Sequence, residues 1–226
     1  MFGRAASTVA FDRRTLSRRL AYCVPLLWIA TIVGGLGALQ AYKSQPGRSG
    51  QTPAVFTEWG SGSDSQRRPR LLMFLHPQCP CSRASLHELA EIVARNPGKA
   101  TFELVFVNPK GAGPEWANTQ LRQQAAAIPN VRLIDDDGTL AHRLGAETSG
   151  YVVLYDADGK LLFRGGITRS RGHEGDNAGR QDICAMLAGN TDAPRGEKTP
   201  VYGCPLFTSG ANADPSCSTD RTGKSP

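Results

Sequence analysis

Apolar and polar positions divide the chain into a charge-free run, a polar stretch and a long alternating region. The run LAYCVPLLWIATIVGGLGALQAY, from Leu20 to Tyr42, carries no charge. As a helix rising ~1.5 Å per residue it is long enough to span the ~30 Å hydrocarbon core of a bilayer. Residues 43 to 70 are rich in Ser, Gly, Pro and Gln with few aliphatics. That composition predicts a flexible linker, because it cannot bury enough apolar surface to offset the entropy of ordering.

From residue 71 onward strand and helix patterns alternate. LLMFL (71 to 75) predicts a buried strand, and SLHELAEIVARN (85 to 96) an amphipathic helix with Leu86, Leu89, Ala90 and Val93 on one face. Ser85 and Glu88 have the spacing of a capping box. TFELVFV (101 to 107) and VRLI (131 to 134) predict two more strands, separated by a helix over WANTQLRQQAAAI (116 to 128). A short helix over 138 to 146 precedes two β runs, 151 to 155 and 160 to 165, whose Asp158-Gly159 junction signals a hairpin. A last helix covers 179 to 189. The order βαβαβαββα, without internal repeats, predicts an α/β domain over residues 71 to 189: a central mixed sheet with helices on both faces, in three α/β/α layers, preceded by one transmembrane helix. Residues 190 to 226 read as a largely disordered tail, interrupted by PVYGCPLF (200 to 207), a segment that docks back on the domain.

Charge changes the picture at the amino terminus. Of a formal net charge of +6, much lies in residues 1 to 19, where Arg4, Arg13, Arg14, Arg18 and Arg19 face only Asp12. Lys43 and Arg48 follow the apolar run. This asymmetry places the basic end in the cytoplasm and the domain across the membrane, in the periplasm of a bacterium, anchored in the inner membrane. A cleaved signal peptide and a core helix of the soluble domain are the competing readings, the latter disfavoured because so long a buried helix without a polar break is rare in a small domain. The best small-x-small candidate, Ala38-Leu39-Gln40, ends in glutamine. The basic residues lie in the tails without an aromatic platform, so nothing points to nucleic acid.

The apolar strand running into Cys79-Pro80-Cys81, the segment DDDGTLAHRLGAETSG and the hairpin YVVLYDADGKLLFRGGI together resemble membrane-tethered thioredoxin-like proteins of the TlpA and ResA type. GGITRSRGHEGDNAGR followed by VYGCPLF looks still more like the RedB-type proteins. The resemblance covers about residues 70 to 207. It implies a thioredoxin-like fold and a thiol-disulfide oxidoreductase acting on protein thiols or disulfides of the periplasm, in company with a membrane redox partner. Two departures accompany it. Thioredoxins carry Cys-x-x-Cys, one residue longer than this pair, and Gly150 stands where the family has a substrate-binding cis-proline.

Alignment of the strand end with that family puts Cys79 at the attacking position, near a helix amino terminus where unpaired N–H groups and the helix dipole stabilise a thiolate. His76 and Arg83 add positive charge nearby. A Cys79–Cys81 disulfide would close a very small ring around Pro80, strained and easily reduced. Cys204 is the candidate distant resolving thiol. On the substrate side stand Gly150, His76 and Pro80. His173, in the loop SRGHEGDNAGR, is a candidate proton carrier, since an imidazole titrates near ~6.5. The same loop reads equally well as a solvated cap of the last helix through Asp176 or Asn177.

Other readings of the cysteines remain open. Buried free thiols pack as small hydrophobes. No cofactor is expected, but two thiolates one residue apart suit Cu(I), with Cys79, Cys81 and His76 as ligands, or His173 completing the site, in a copper chaperone or redox-sensing module. Cys204 and Cys217 stand alone in sequence, which disfavours a structural zinc site. A thiol peroxidase would need a Pro-x-x-x-Thr-x-x-Cys motif that the chain lacks. Cys184 reads as core and Cys23 as part of the membrane segment.

Overall fold

A computed structural model describes residues 13 to 57, 68 to 108, 113 to 190 and 198 to 207. The tail beyond residue 207, with Cys217, lies outside the described residues. The chain divides into two compact units, Met1–Tyr42 and Lys43–Pro226. Helix α1 runs from Arg13 to Ser44, and its stretch Ala21–Ser44, with mean hydropathy 1.8, is apolar and long enough to cross a membrane. Leu26, Leu27, Trp28, Ile29 and Val33 along it are exposed. A helix apolar on every side satisfies its backbone internally and suits a lipid environment.

The second unit is built on five strands: β1 (Arg70–Leu75), β2 (Thr101–Val107), β3 (Val131–Asp136), β4 (Tyr151–Tyr155) and β5 (Leu161–Gly165). They form one sheet in the order β3-β2-β1-β4-β5. β1, β2 and β3 run parallel, whereas β4 is antiparallel to both β1 and β5. This is the mixed sheet of the expected thioredoxin-like fold. Every residue of central β1 is buried, because both faces of that strand are covered.

One face packs against α2 (Ser82–Arg95), α4 (Gln120–Ala126) and α6 (Ala178–Leu187), which contribute Leu86, Leu89, Ile92, Leu121, Ala125 and Ile183 to a core with Leu71, Met73 and Leu75. On the other face, among the described residues, the helix in the core is the short α5 (Thr139–Arg143). Five helical residues cannot cover a five-stranded sheet, and two extended segments complete the layer: Phe56 from the amino-terminal side, and Val201 and Leu206 from the carboxy-terminal side.

Docking of Phe56 departs from the flexible linker expected over 43 to 70. Gly50 N–H donates to Gly145 O at 2.9 Å, Leu161 N–H to Ala54 O at 2.9 Å, and Phe56 N–H to Gly159 O at 2.8 Å. Tyr155 Oη donates to Pro53 O at 3.0 Å. Polar composition hides this, since most of these bonds use backbone groups that any residue possesses. Residues 58 to 67 lie outside the described residues. The helix expected over 116 to 128 is also interrupted. Thr119 adopts extended geometry (φ −114°, ψ 159°) and caps α4 by accepting from Arg122 N–H, so α3 (Pro114–Ala117) ends before it.

Candidate functional site

The site begins where β1 ends. His76 N–H donates to Ser149 Oγ at 2.8 Å, and Cys79 N–H to His76 O at 3.1 Å, which turns the chain from the strand toward α2. Cys81 caps α2, and Ser82 N–H donates to Cys79 O at 3.2 Å. The helix therefore starts three residues earlier than its apolar periodicity indicated. Cys79 sits directly before its first turn, where the orphan N–H groups and the positive end of the dipole lie.

Cys79 is buried, with 2% of its surface exposed. Its Sγ accepts a hydrogen bond from the backbone N–H of Cys204 at 3.4 Å. The Cys204 thiol, then the Cys81 thiol, with Ser82 Oγ and Cys204 N–H, hold the Cys79 sulfur far below the ordinary thiol range against the opposing effect of burial. At Cys81 the contact with Cys204 pulls the pKa down. Hydrogen bonding to Cys79, burial and the charge of Cys79 together prevail and push it up. The pair is thus unequal: the surroundings favour the ionised form at Cys79 and the protonated form at Cys81.

Burial lowers the pKa of the His76 imidazole, and the Cys79 charge offsets this only in part. The ring meets Trp116 edge-on, 5.1 Å between centroids, and its Nδ1 accepts from Gln78 N–H at 3.2 Å. Ser82 Oγ and Ser149 Oγ are 2.7 Å apart beneath the thiols. Ser149 is adjacent to Gly150, whose φ of +90° favours glycine. A Cβ there would come within 2.8 Å of Ser85 Oγ. Gly150 is buried and donates its N–H to Phe74 O at 2.8 Å, which ties the loop before β4 to the sheet. Pro80 is exposed.

Cys79, Cys81 and Cys204 come together, although 125 residues separate the first from the last. Each is a free cysteine, outside any disulfide. His173 is not drawn in with them. It is exposed, and its backbone N–H donates to Ser170 O at 3.2 Å. Its loop is held instead by Glu88, fully buried on α2, which accepts from Gly175 N–H at 2.6 Å, Asn177 Nδ2 at 3.0 Å and Arg180 Nη1 at 2.6 Å. Asn177 caps α6, accepting from Arg180 N–H at 2.8 Å. Among the described residues, no group of three or more His, Cys, Asp or Glu side chains is arranged to hold a metal ion.

Sequence reasoning passed over Ser82, Ser149, Trp116 and Arg171. Arg171 donates from Nη1 to Gly203 O at 2.6 Å, and its charge favours the ionised form of Cys81. Ser82 lay inside the quoted cysteine motif and Ser149 beside Gly150, so proximity to flagged residues was the available signal. Trp116 and Arg171 carried none.

No protein-family profile matches the chain. No characterised protein matches it in sequence. Solved structures do resemble it. An uncharacterised conserved protein from Geobacillus kaustophilus superposes with a TM-score of 0.54 at 19% identity, over 75% of this chain and 92% of that one. A hypothetical protein from Sinorhizobium meliloti 1021 gives 0.51 at 22% identity, over 74% and 99% respectively. A secreted Mycobacterium tuberculosis disulfide oxidoreductase homologous to E. coli DsbE gives 0.40 at 22% identity, over 55% and 83%. At such identities the likeness concerns the fold alone.

Proposed function

We propose that this thioredoxin-like protein is an exported, membrane-tethered thiol-disulfide oxidoreductase in which Cys79 is the exchanging thiol. One observation carries the reading: a sulfur directly before a helix start that accepts the Cys204 backbone N–H at 3.4 Å and is surrounded by donors, the Cys204, Cys81 and Ser82 side chains, that favour its ionised form. A structural buried cysteine needs none of these donors, whereas a nucleophilic thiolate does.

In the reducing direction the Cys79 thiolate attacks one sulfur of a partner disulfide. The Cys79–partner bond forms, the partner disulfide breaks, and the departing sulfur leaves as a thiolate that takes up a proton. Cys204, losing its proton, then attacks Cys79 Sγ. This forms the Cys79–Cys204 disulfide and releases the second partner thiol, so the partner gains two electrons and the protein loses two. A reduced dithiol protein of the membrane or periplasm restores the starting state. Run backwards, the same steps oxidise a dithiol. Cys81 is the alternative resolving group, at the cost of the tight ring around Pro80. The apolar stretch of α1 and the basic residues before it support tethering with the domain outside the cytoplasm.

A Cu(I) site on the soft pair Cys79 and Cys81 is the second reading, and it would require a rearrangement, since the described side chains form no group of three ligands as they stand. His76 fits it less well, because its Nδ1 is engaged by Gln78 N–H. The test uses the full chain in detergent micelles, assayed for reduction of a protein disulfide and for Cu(I) content after anaerobic purification. Differential alkylation with mass spectrometry across a range of potentials identifies the pairing. Cys79→Ser should abolish turnover and Cys204→Ser should trap the Cys79–partner mixed disulfide. Stoichiometric Cu(I) without turnover, or full turnover in Cys79→Ser, would sink the exchange reading.

A further inference from the structure

Residues 198 to 207 lie across the site as a strap. Lys198 bridges Arg164 in parallel, Thr199 Oγ1 donates to Gly166 O at 2.8 Å, and buried Val201 accepts from Gly47 N–H at 2.8 Å. The strap then pairs antiparallel with the loop before β4, through the bridge Thr148 to Pro205. Ser149 N–H donates to Cys204 O at 2.8 Å, and Leu206 N–H to Glu147 O at 2.9 Å. Phe207 ends the strap stacked on His142, 3.8 Å between ring centroids. Beneath it Cys79 is almost wholly closed off. A partner sulfur cannot reach Cys79 while the strap is down.

The chain thus carries its own occupant for the docking ledge formed by residues 147 to 149 with Cys79 and Arg171, and we propose that the strap is a built-in competitor, which a cysteine-bearing segment of a partner protein must displace and whose pattern of residues that segment must match. This rests on Cys79 being the exchanging thiol and names its substrate class; once the mixed disulfide has formed, the strap reseats and returns Cys204 to Cys79 for the resolving attack. The contacts that hold the strap divide into those any segment could make and those that select. The bonds to Glu147 O and from Ser149 N–H are backbone bonds, open to any extended chain. The N–H at position 205 has no part in this pairing, which is why a proline fits there, and Pro205 is exposed.

Two positions discriminate. A Cβ on Gly203 would collide with Ser149 O, so the residue before the cysteine must be glycine. Leu206, 3% exposed, sits in the apolar cluster with Phe74, Val105 and Val201. The second residue after the cysteine must therefore be apolar. The recognised segment is Gly-Cys-x-apolar, clamped by Arg171 on the glycine carbonyl as it is on Gly203.

The test uses the reduced full chain in detergent micelles, with fluorescein-labelled VYGSPLF and VYASPLF as probes; serine replaces cysteine so that only non-covalent docking is read. Gly203→Ala unseats the strap by the collision above and should raise the rate of Cys79 alkylation by iodoacetamide at least tenfold. That variant should bind VYGSPLF at least tenfold more tightly than the unaltered chain, and VYASPLF at least tenfold more weakly than VYGSPLF. Added VYGSPLF should restore protection of Cys79. Where circular dichroism finds Gly203→Ala unfolded, Leu206→Ser, which withdraws the strap's own apolar anchor and leaves the ledge intact, is held to the same alkylation and peptide criteria.

Unchanged alkylation in both variants, or equal binding of the two peptides, overturns the proposal. So does opening that scales with protein concentration alongside a dimer, since the occupant is then a second copy. Disulfide turnover without peptide discrimination defeats the docking proposal and leaves exchange intact. Peptide discrimination without turnover does the reverse.

Discussion

Replacing Cys204 by alanine isolates the largest influence on Cys79. The substitution deletes the thiol that donates to Cys79 Sγ and keeps the backbone N–H at 3.4 Å. A hydrogen bond to a charged acceptor contributes about 1.5–3 kcal/mol, and one pH unit of pKa corresponds to about 1.4 kcal/mol. At 2% exposure, water cannot step in as a replacement donor. The Cys79 pKa should therefore rise by roughly one to two pH units. Thiolate ultraviolet absorbance of the reduced full chain, titrated downward in pH with Cys79→Ser subtracted as background, reads the change directly. The unaltered protein should keep its thiolate well below the ordinary thiol range, and Cys204→Ala should lose it at higher pH. Equal midpoints, or an ordinary midpoint in the unaltered protein, would refute the hydrogen-bond account of the thiolate.

Two further outcomes follow from the same geometry. Native Cys79 holds no proton where an unfolded thiol, titrating near ~8.5, still holds one, so this group's contribution is full above the unfolded pKa and is lost as pH falls toward the depressed native value, by up to about 1.4 kcal/mol per pH unit. Urea midpoints between about pH 6 and 8 should show the advantage of the unaltered protein over Cys79→Ser growing with pH; a flat or reversed difference contradicts it. Glu88→Ala strands the buried Arg180 guanidinium, leaving it with the exposed Asp176 carboxylate at 2.7 Å. That change should cost about 3–5 kcal/mol in urea denaturation, and a loss under ~1 kcal/mol would mean that the loop before α6 does not depend on the pair.

Alternating patterns made the strands and most helices legible before any coordinates, because burial on one or both faces imposes a local period. β2 falls on the residues its apolar run marks, Thr101–Val107. Local chemistry that overrides periodicity was harder to read. Thr119 splits the helix over 116 to 128 by capping, and Ser82 joins α2 because Cys81 already has helical geometry. The loop around His173 followed the capping reading, with Asn177 and Glu88 holding it in place.

The sequence by itself determined that a cysteine pair stands where an apolar strand gives way to a helix, and that the domain alternates strand and helix around a mixed sheet. Those facts depend on neighbours a few residues apart. Which groups act on Cys79 is set by long-range packing. Cys204 reaches Cys79 because one sheet face, covered by the five residues of α5, leaves apolar surface that Val201 and Leu206 fill. Burying those two side chains seats the strap, and the strap carries Cys204 to the helix start. No local pattern encodes that placement. It follows from which part of the sheet the helices left uncovered, a property of the assembled core.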